Sequence, residues 1–448
     1  MADVAIVGAG LAGCECARVL ADMGKDVTLF EAKPEVRSEA HVSDLLSELV
    51  CSNSLRSDAL ASGIGLLKQE LRDLHSPFMQ DADACRVPAG KALAVDRTLF
   101  SERVTRAVEE HPRIHLVHAC IADLDDPRLA DFATIVLAAG PLATEGLSQS
   151  LARRIGQDHC YFYDAIAPIV WGHSLDMSIV FRGSRYDEEH GETSGDYLNC
   201  PMNRDEYTAF YEALCSAEKV HARDFEKERH FEGCMPIEAL AERGPKTLVF
   251  GPLKPVGFTD PRTGRRPWAV LQLRAENLNA TTFNLVGCQT KLTYPEQARI
   301  FRMVPGLAQA EFVRFGSMHR NTYVNAPRVL ARDGSLVASP NIFLAGQISG
   351  VEGYVESAAH GHWIARVLAA RMEGNDLVEP PVTTALGALL GHLRTEQKRF
   401  QPSNAHFGLM PEPEERIAKK LRKEWYAARA RTDFANWMEQ NRHFLRAE

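Results

Sequence analysis

Gly8, Gly10 and Gly13 stand at the spacing Gly-x-Gly-x-x-Gly, and Glu31 follows 23 residues after the first of them. That pattern suits a dinucleotide. Gly8 permits a tight turn, Gly10 lets the backbone approach a pyrophosphate, and Gly13 lets a helix pack closely on a strand. Ala9, Leu11 and Ala12 complete the loop. Free amides and the positive dipole end at a helix N-terminus favour phosphate there. The Glu31 carboxylate can accept hydrogen bonds from a ribose hydroxyl.

Ten cysteines, at 14, 16, 51, 85, 120, 160, 200, 215, 234 and 288, offer a second kind of chemistry. A thiolate is a nucleophile and a base within reach of neutral pH. None of the ten forms a Cys-x-x-Cys pair, so no metal site is expected. In a reducing compartment most are expected as free thiols, acting as small buried apolar residues. A flavin-linked dithiol relay needs a close pair of cysteines near the flavin. Cys51 stands alone at about that distance from the glycine loop, so no such relay is expected.

The elements that must position these groups can be read around them. Residues 3–8 read as a buried strand, 11–23 as a helix ending at Gly24, and 27–31 as a second strand. Leu45, Leu46 and Leu49 suggest a helical turn, interrupted from Cys51 to Ser54. Residues 64–74 and 98–110 read as helices, and 114–117 and 134–140 as strands. Residues 160–320 are rich in Tyr, Arg, Asp and Glu, with short strands expected at 247–250 and 282–286. Ile342–Ala345 then returns to strand, followed by Gly346, Gln347, Gly350 and Gly353 before a helix from about Tyr354 to Arg371. That late strand and glycine turn favour FAD over NAD. Many such folds carry Asp where Gln347 stands, so any contact there is a hydrogen bond without charge. The expected fold is α/β, an FAD-binding Rossmann-like domain of glutathione-reductase type interrupted by an α+β domain. The boundaries are 1–150 with 322–448 for the first and 151–321 for the second.

The hydrophobic share of 45% and charged share of 25% exclude a largely disordered or collagen-like chain. A net charge of −8 argues mildly against a nucleic-acid binder. Residues 390–448, however, carry 12 Lys and Arg against 8 Asp and Glu. Within them, Ile417, Leu421 and Trp425 are spaced to face a core from one helix. Lys419, Lys420, Arg422 and Lys423 would then face out, as candidates for RNA backbone contact. No apolar run reaches the ~18 residues of a membrane span, and the N-terminus lacks a signal-peptide pattern. A cytoplasmic protein without membrane partners is expected.

Several motifs, in order along nearly the whole chain, resemble the folate- and FAD-dependent tRNA uracil-5-methyltransferases, the TrmFO family. They are Leu49-Val50-Cys51-Ser52-Asn53-Ser54, Arg86-Val87-Pro88-Ala89-Gly90, Tyr197-Leu198-Asn199-Cys200-Pro201-Met202, Phe231-Glu232-Gly233-Cys234-Met235-Pro236, Met318-His319-Arg320-Asn321-Thr322, residues 346–357 and residues 400–408. The resemblance implies methylation of uridine C5 in the T-loop of tRNA, at position 54, giving ribothymidine. It implies carbon from 5,10-methylenetetrahydrofolate, FAD hydroquinone as reductant, and NAD(P)H to regenerate it. It also implies Cys234 as nucleophile and Cys51 as general base, with Asn53, Gly346, Gln347, Gly353 and Tyr354 around the flavin. His319 and Arg320 become candidates for RNA phosphate.

The sequence departs from the family at Cys288, Lys291 and Tyr294, where relatives usually show Phe, then His, then Trp. Tyr294 keeps an aromatic face. Three readings stand beside the tRNA one: the same chemistry on a uridine of 23S rRNA, a flavin oxidoreductase with no RNA substrate, and a non-catalytic flavoprotein that binds RNA as a chaperone.

Overall fold

Val4–Val7, four buried apolar residues, form strand β1; helix α1 (Leu11–Asp22) and strand β2 (Val27–Glu31) follow. A computed structural model of the chain describes residues 3–38, 40–156, 160–185, 195–220, 235–398 and 400–442, and leaves the side chains of 160–164 and 318–320 undescribed. β1 and β2 lie at the heart of a six-stranded sheet. Its order is Ser335–Leu336, Ser339–Leu344, Thr134–Leu137, β1, β2, Ile114–His118. The pairs are parallel except for the first. Parallel strands covered on both faces need continuous apolar runs, and Val4–Val7 and Val27–Glu31 are buried at every position.

Helix Tyr354–Met372 crosses α1 on one face of this sheet. A small residue lets the two backbones approach: a Cβ at Gly361 would lie 2.3 Å from the Ala12 carbonyl oxygen. Within the glycine loop, a Cβ at Gly13 would lie 1.8 Å from the Gly8 carbonyl oxygen. A buried network ties the crossing. Glu15 accepts from Phe78 N at 2.7 Å and from Ser76 Oγ at 2.5 Å, and contacts His362 Nδ1 at 2.8 Å.

A second six-stranded sheet is antiparallel throughout. Its order is Phe181–Arg182, Tyr197–Met202, Ala269–Ala275, Thr282–Leu285, Ile169–Trp171, Phe312–Arg314. It has its own core, with Phe210, Leu271, Leu273 and Phe301 fully buried. The two-stranded pair Cys160–Ala165 and Met318–Tyr323 carries the chain in and out.

Three local expectations are overturned. Residues 40–50 contain no helix: Ser47 has φ 51° and its amide donates to the Ala9 carbonyl, so this segment braces the glycine loop. Thr247–Phe250 is a helical turn and not a strand; only Leu248 is buried in it and Phe250 is 80% exposed. The last helix begins at Arg422, with Leu421 as its exposed N-cap. Its buried stripe is Tyr426, Ala430, Phe434 and Trp437, a better match to helical spacing over its full length than Ile417, Leu421 and Trp425. Lys419, Lys420, Arg422 and Lys423 are all exposed.

Candidate active site

A cavity of about 830 Å³ opens between the two sheets, lined from both sides. Its floor is the glycine loop. Gly8 sits at φ +103°, a conformation that side chains rarely adopt, and a Cβ there would meet Ala138 O at 2.6 Å. Gly10 differs: a Cβ there would meet nothing within 4 Å. Gly10, which lines the cavity, therefore keeps space for a ligand and not for the protein's own packing. Gly10 is also the N-cap of α1, with no side chain capping the helix and no acidic residue in its first turn. The positive end of that helix is left for an anion.

Glu31 ends β2 at the cavity wall and is 8% exposed. Its Oε2 accepts from Ala9 N at 2.9 Å and its Oε1 from Lys33 N at 3.0 Å. The carboxylate is thereby fixed beside the loop with lone pairs left to accept from a ligand hydroxyl. The loop, the open helix end and the fixed acid fit the pyrophosphate and ribose of FAD.

The second glycine turn comes from the other side of α1. Gly346 (φ +77°) presses on Ala12, where a Cβ would lie 2.6 Å from the Ala12 Cβ, and Gly353 (φ +115°) caps helix Tyr354–Met372. Gln347, Gly353 and Tyr354 line the cavity, as do Gly8, Ala9, Gly10, Leu11, Ala12, Glu31 and Cys51. Gly13, Gly346 and Asn53 do not. Gly13 and Gly346 serve the packing around α1. Asn53 is fully buried, and its amide donates to Val95 O and Ala275 O, each at 3.0 Å. It joins the Cys51 loop to the second sheet. Cys234 falls outside the described residues, as do the side chains of His319 and Arg320.

Cys51 sits against Tyr354, with Sγ 2.8 Å from Oη. The same Oη accepts from Cys51 N at 2.8 Å and from Ser52 N at 3.3 Å. Two amides thus occupy the phenol's lone pairs, and its own proton is left to point at sulfur. An anionic Cys51 would have a donor in place. Burial, and next the neighbouring Cys51, push the Tyr354 phenol well above its ordinary range, so it holds that proton at neutral pH.

Two arginines from the second sheet grip the Cys51 loop. Arg314 donates to Val50 O at 3.0 Å and to Ala40 O at 3.1 Å. Arg274 donates to Asn53 Oδ1 at 2.9 Å and to Ser52 Oγ at 2.8 Å. Sequence reading missed both. Arg274 carried a signal: it is the one cation in Ala269–Ala275, a strand buried at every position. A buried charge there needs partners, and the Cys51 loop supplies them. Among the described residues no cluster of His, Cys, Asp or Glu could hold a metal ion.

A profile of the family described as glucose inhibited division protein A matches residues 3–376. The chain is 67% identical over 436 residues to the methylenetetrahydrofolate--tRNA-(uracil-5-)-methyltransferase TrmFO of Nitratidesulfovibrio vulgaris strain Hildenborough, covering 97% of this chain and 91% of that one. It is 61% identical to the protein of the same name from Lawsonia intracellularis, with 97% of each covered. The Geobacter sulfurreducens protein of that name is 54% identical, with 97% and 98% covered. Among solved structures, Aquifex aeolicus GidA superposes with a TM-score of 0.69 at 16% identity, over 99% of this chain and 76% of that one, a likeness of fold.

Proposed function

The chain belongs to the TrmFO family of folate-dependent tRNA uracil-5-methyltransferases, and from that premise we propose that it methylates C5 of uridine 54 in the T-loop of tRNA. The carbon comes from 5,10-methylenetetrahydrofolate. The glycine loop and Glu31 would hold FAD, which would supply the electrons that reduce this carbon to a methyl group, with NAD(P)H restoring them. All these partners belong to the cytoplasm, where we place the protein. No helix among the described residues is long and apolar enough to cross a membrane.

The observation that carries this reading is Cys51, held in the wall of the cavity that the glycine loop floors, with its Sγ 2.8 Å from Tyr354 Oη. Uracil C5 is a poor nucleophile. A thiolate adding at C6 turns the ring into an enolate whose C5 can attack the one-carbon unit. The C5 proton must then leave, and a second thiolate can take it as tetrahydrofolate departs from the exocyclic methylene that results. Two electrons and a proton delivered to that carbon complete the methyl group, and the first thiolate leaves C6. Cys234 is the C6 nucleophile in this scheme and Cys51 the base; Tyr354 holds Cys51 and satisfies its charge before the proton arrives. We also assign residues 1–150 and 322–448 to the FAD-binding domain and 151–321 to the inserted one. The membership of the two six-stranded sheets supports that division.

Fluorinated RNA tests the two roles. With 5-fluorouridine at the target, addition and carbon transfer proceed but loss of the C5 substituent stalls, so a covalent adduct accumulates. Cys51→Ala should still form it, yet fail on normal RNA. Cys234→Ala should form none. A denaturing gel with flavin loading matched across samples reads the outcome. The reverse pattern would exchange the roles, and adduct loss on removing only some third cysteine would discard them.

A further inference from the structure

Tyr294, Phe315 and Phe312 form a ladder of rings. Tyr294 stacks on Phe315 with centroids 5.0 Å apart and planes at 15°, and Phe315 on Phe312 at 4.7 Å and 20°. At the inner end the Arg302 guanidinium lies 5.7 Å from the Phe312 centroid, a cation–π contact. Arg302 is held there by two donations to Ala310 O, at 3.1 and 3.0 Å. At the outer end Tyr294 is 58% exposed.

The ladder is anchored at its base. Tyr294 opens helix Tyr294–Phe301, whose buried residues are Gln297, Ile300 and Phe301. Gln297 donates to Leu292 O at 2.7 Å and Gly316 O at 2.9 Å, and accepts from Gly316 N at 2.7 Å. This one side chain fastens the residue after Phe315 to the helix that carries Tyr294.

It also stands beside the cavity. Arg314, just before Phe315, donates to Val50 O. Gly316, just after it, packs so closely that a Cβ would lie 2.5 Å from Ile166 O and 2.6 Å from the Thr290 methyl. Val50, Ile166 and Gln289 line the cavity, whereas Tyr294 does not.

We infer that the open face of Tyr294 stacks an unpaired nucleobase of the RNA, one adjacent to the target uridine. This rests on the reading of the protein as an RNA uridine methyltransferase. C5 of a stacked uridine cannot be reached until that base leaves its stack. Its neighbour then loses a partner, and an aromatic platform replaces it without reading sequence, since every base has a π face. The carbon is delivered inside the cavity, whereas Tyr294 lies outside its lining. An RNA is far larger than the cavity, so the bases beside the target stay outside its lining, where Tyr294 is exposed.

The test uses the full FAD-loaded protein and an unmodified tRNA transcript. Base–aromatic stacking is worth about 1–3 kcal/mol, or roughly 5- to 150-fold in affinity. Tyr294→Ala should raise Kd and KM for the transcript by about tenfold. It should leave the KM for methylenetetrahydrofolate and flavin reduction by NADPH unchanged. Tyr294→Trp should behave as wild type. Transcripts with a single abasic nucleotide on either side of the target give the second readout. One of them should lose the same factor with wild type and nothing further with Tyr294→Ala. Unchanged transcript affinity in Tyr294→Ala would overturn the proposal, as would losses that add to those of both abasic sites. A raised KM for methylenetetrahydrofolate in place of that for RNA would assign the ladder to folate and overturn it too. If wild type makes no methylated uridine, the underlying reading fails first. An active wild type with an indifferent Tyr294→Ala defeats the ladder alone.

Discussion

Gly10 shows how one missing side chain can be read. Its φ of −76° suits any residue, and a Cβ would touch nothing in the protein. The folded chain should therefore tolerate Gly10→Val, whereas a pyrophosphate lying on the loop should not. We expect a soluble, folded variant without the yellow of bound flavin, read by the visible spectrum and a thermal melt. Full flavin occupancy in that variant would remove the pyrophosphate from this loop. Tyr354 is the complementary case, a side chain with more partners than its ring needs. Tyr354→Phe keeps the ring but strands two amides and takes the donor from Cys51 Sγ. Leaving a fully buried donor unpaired costs about 1–3 kcal/mol, and part-buried amides such as these two stand at the low end. A drop in stability of that order is expected with turnover reduced further. Turnover equal to wild type would mean that the phenol proton does not serve Cys51.

At the scale of elements, the turn under Gly346 couples the fold to pH. His360 is buried on helix Tyr354–Met372; its Nδ1 accepts from Gly346 N at 3.2 Å and lies 2.9 Å from Ser349 Oγ. Burial, with Arg394 nearby, lowers its pKa from 6.5 to about 4. The unfolded chain therefore binds a proton that the folded chain refuses between those values. The His360 contribution is present above about pH 6.5 and is lost as pH falls towards 4, up to about 3 kcal/mol. His360→Gln keeps an acceptor and has no such titration. Denaturant unfolding from pH 7 to 4.5 should show a smaller loss in the variant, and equal slopes would contradict the assignment. The elements themselves were unevenly legible in the sequence. β1, α1, β2 and helix Tyr354–Met372 follow from local apolar runs and glycine turns, because their burial is continuous. Residues 40–50 misled because Leu46 and Leu49 are buried by contacts with distant segments, without a helix. The Arg274 and Arg314 grip on the Cys51 loop spans more than 200 residues of chain, and no spacing rule reaches that far. Arg274→Met should misplace Cys51 while leaving FAD bound. The expected signature is lower kcat at unchanged flavin content; an unaltered kcat would make the grip dispensable.

Across the whole molecule, an acidic chain must hold a polyanion. The exposed Lys419 and Lys420 lead into the last helix, the equally exposed Arg422 and Lys423 open it, and all four are candidates for that work. Reversing all four charges should weaken tRNA binding and flatten its salt dependence, by about 0.7–0.9 in log–log slope for each phosphate no longer neutralised. Flavin reduction should be unaffected, and an unchanged affinity would leave these residues as a solvated surface. The central claim joins the cavity, the thiols and the family into one reaction. Its most direct test supplies the purified protein with unmodified tRNA transcript, NADPH and methylenetetrahydrofolate labelled in the methylene carbon, followed by nucleoside analysis. The account predicts labelled 5-methyluridine at position 54 and none when the folate is omitted. Absence of label from the tRNA, its appearance only in ribosomal RNA, or methylation that requires S-adenosylmethionine would contradict it.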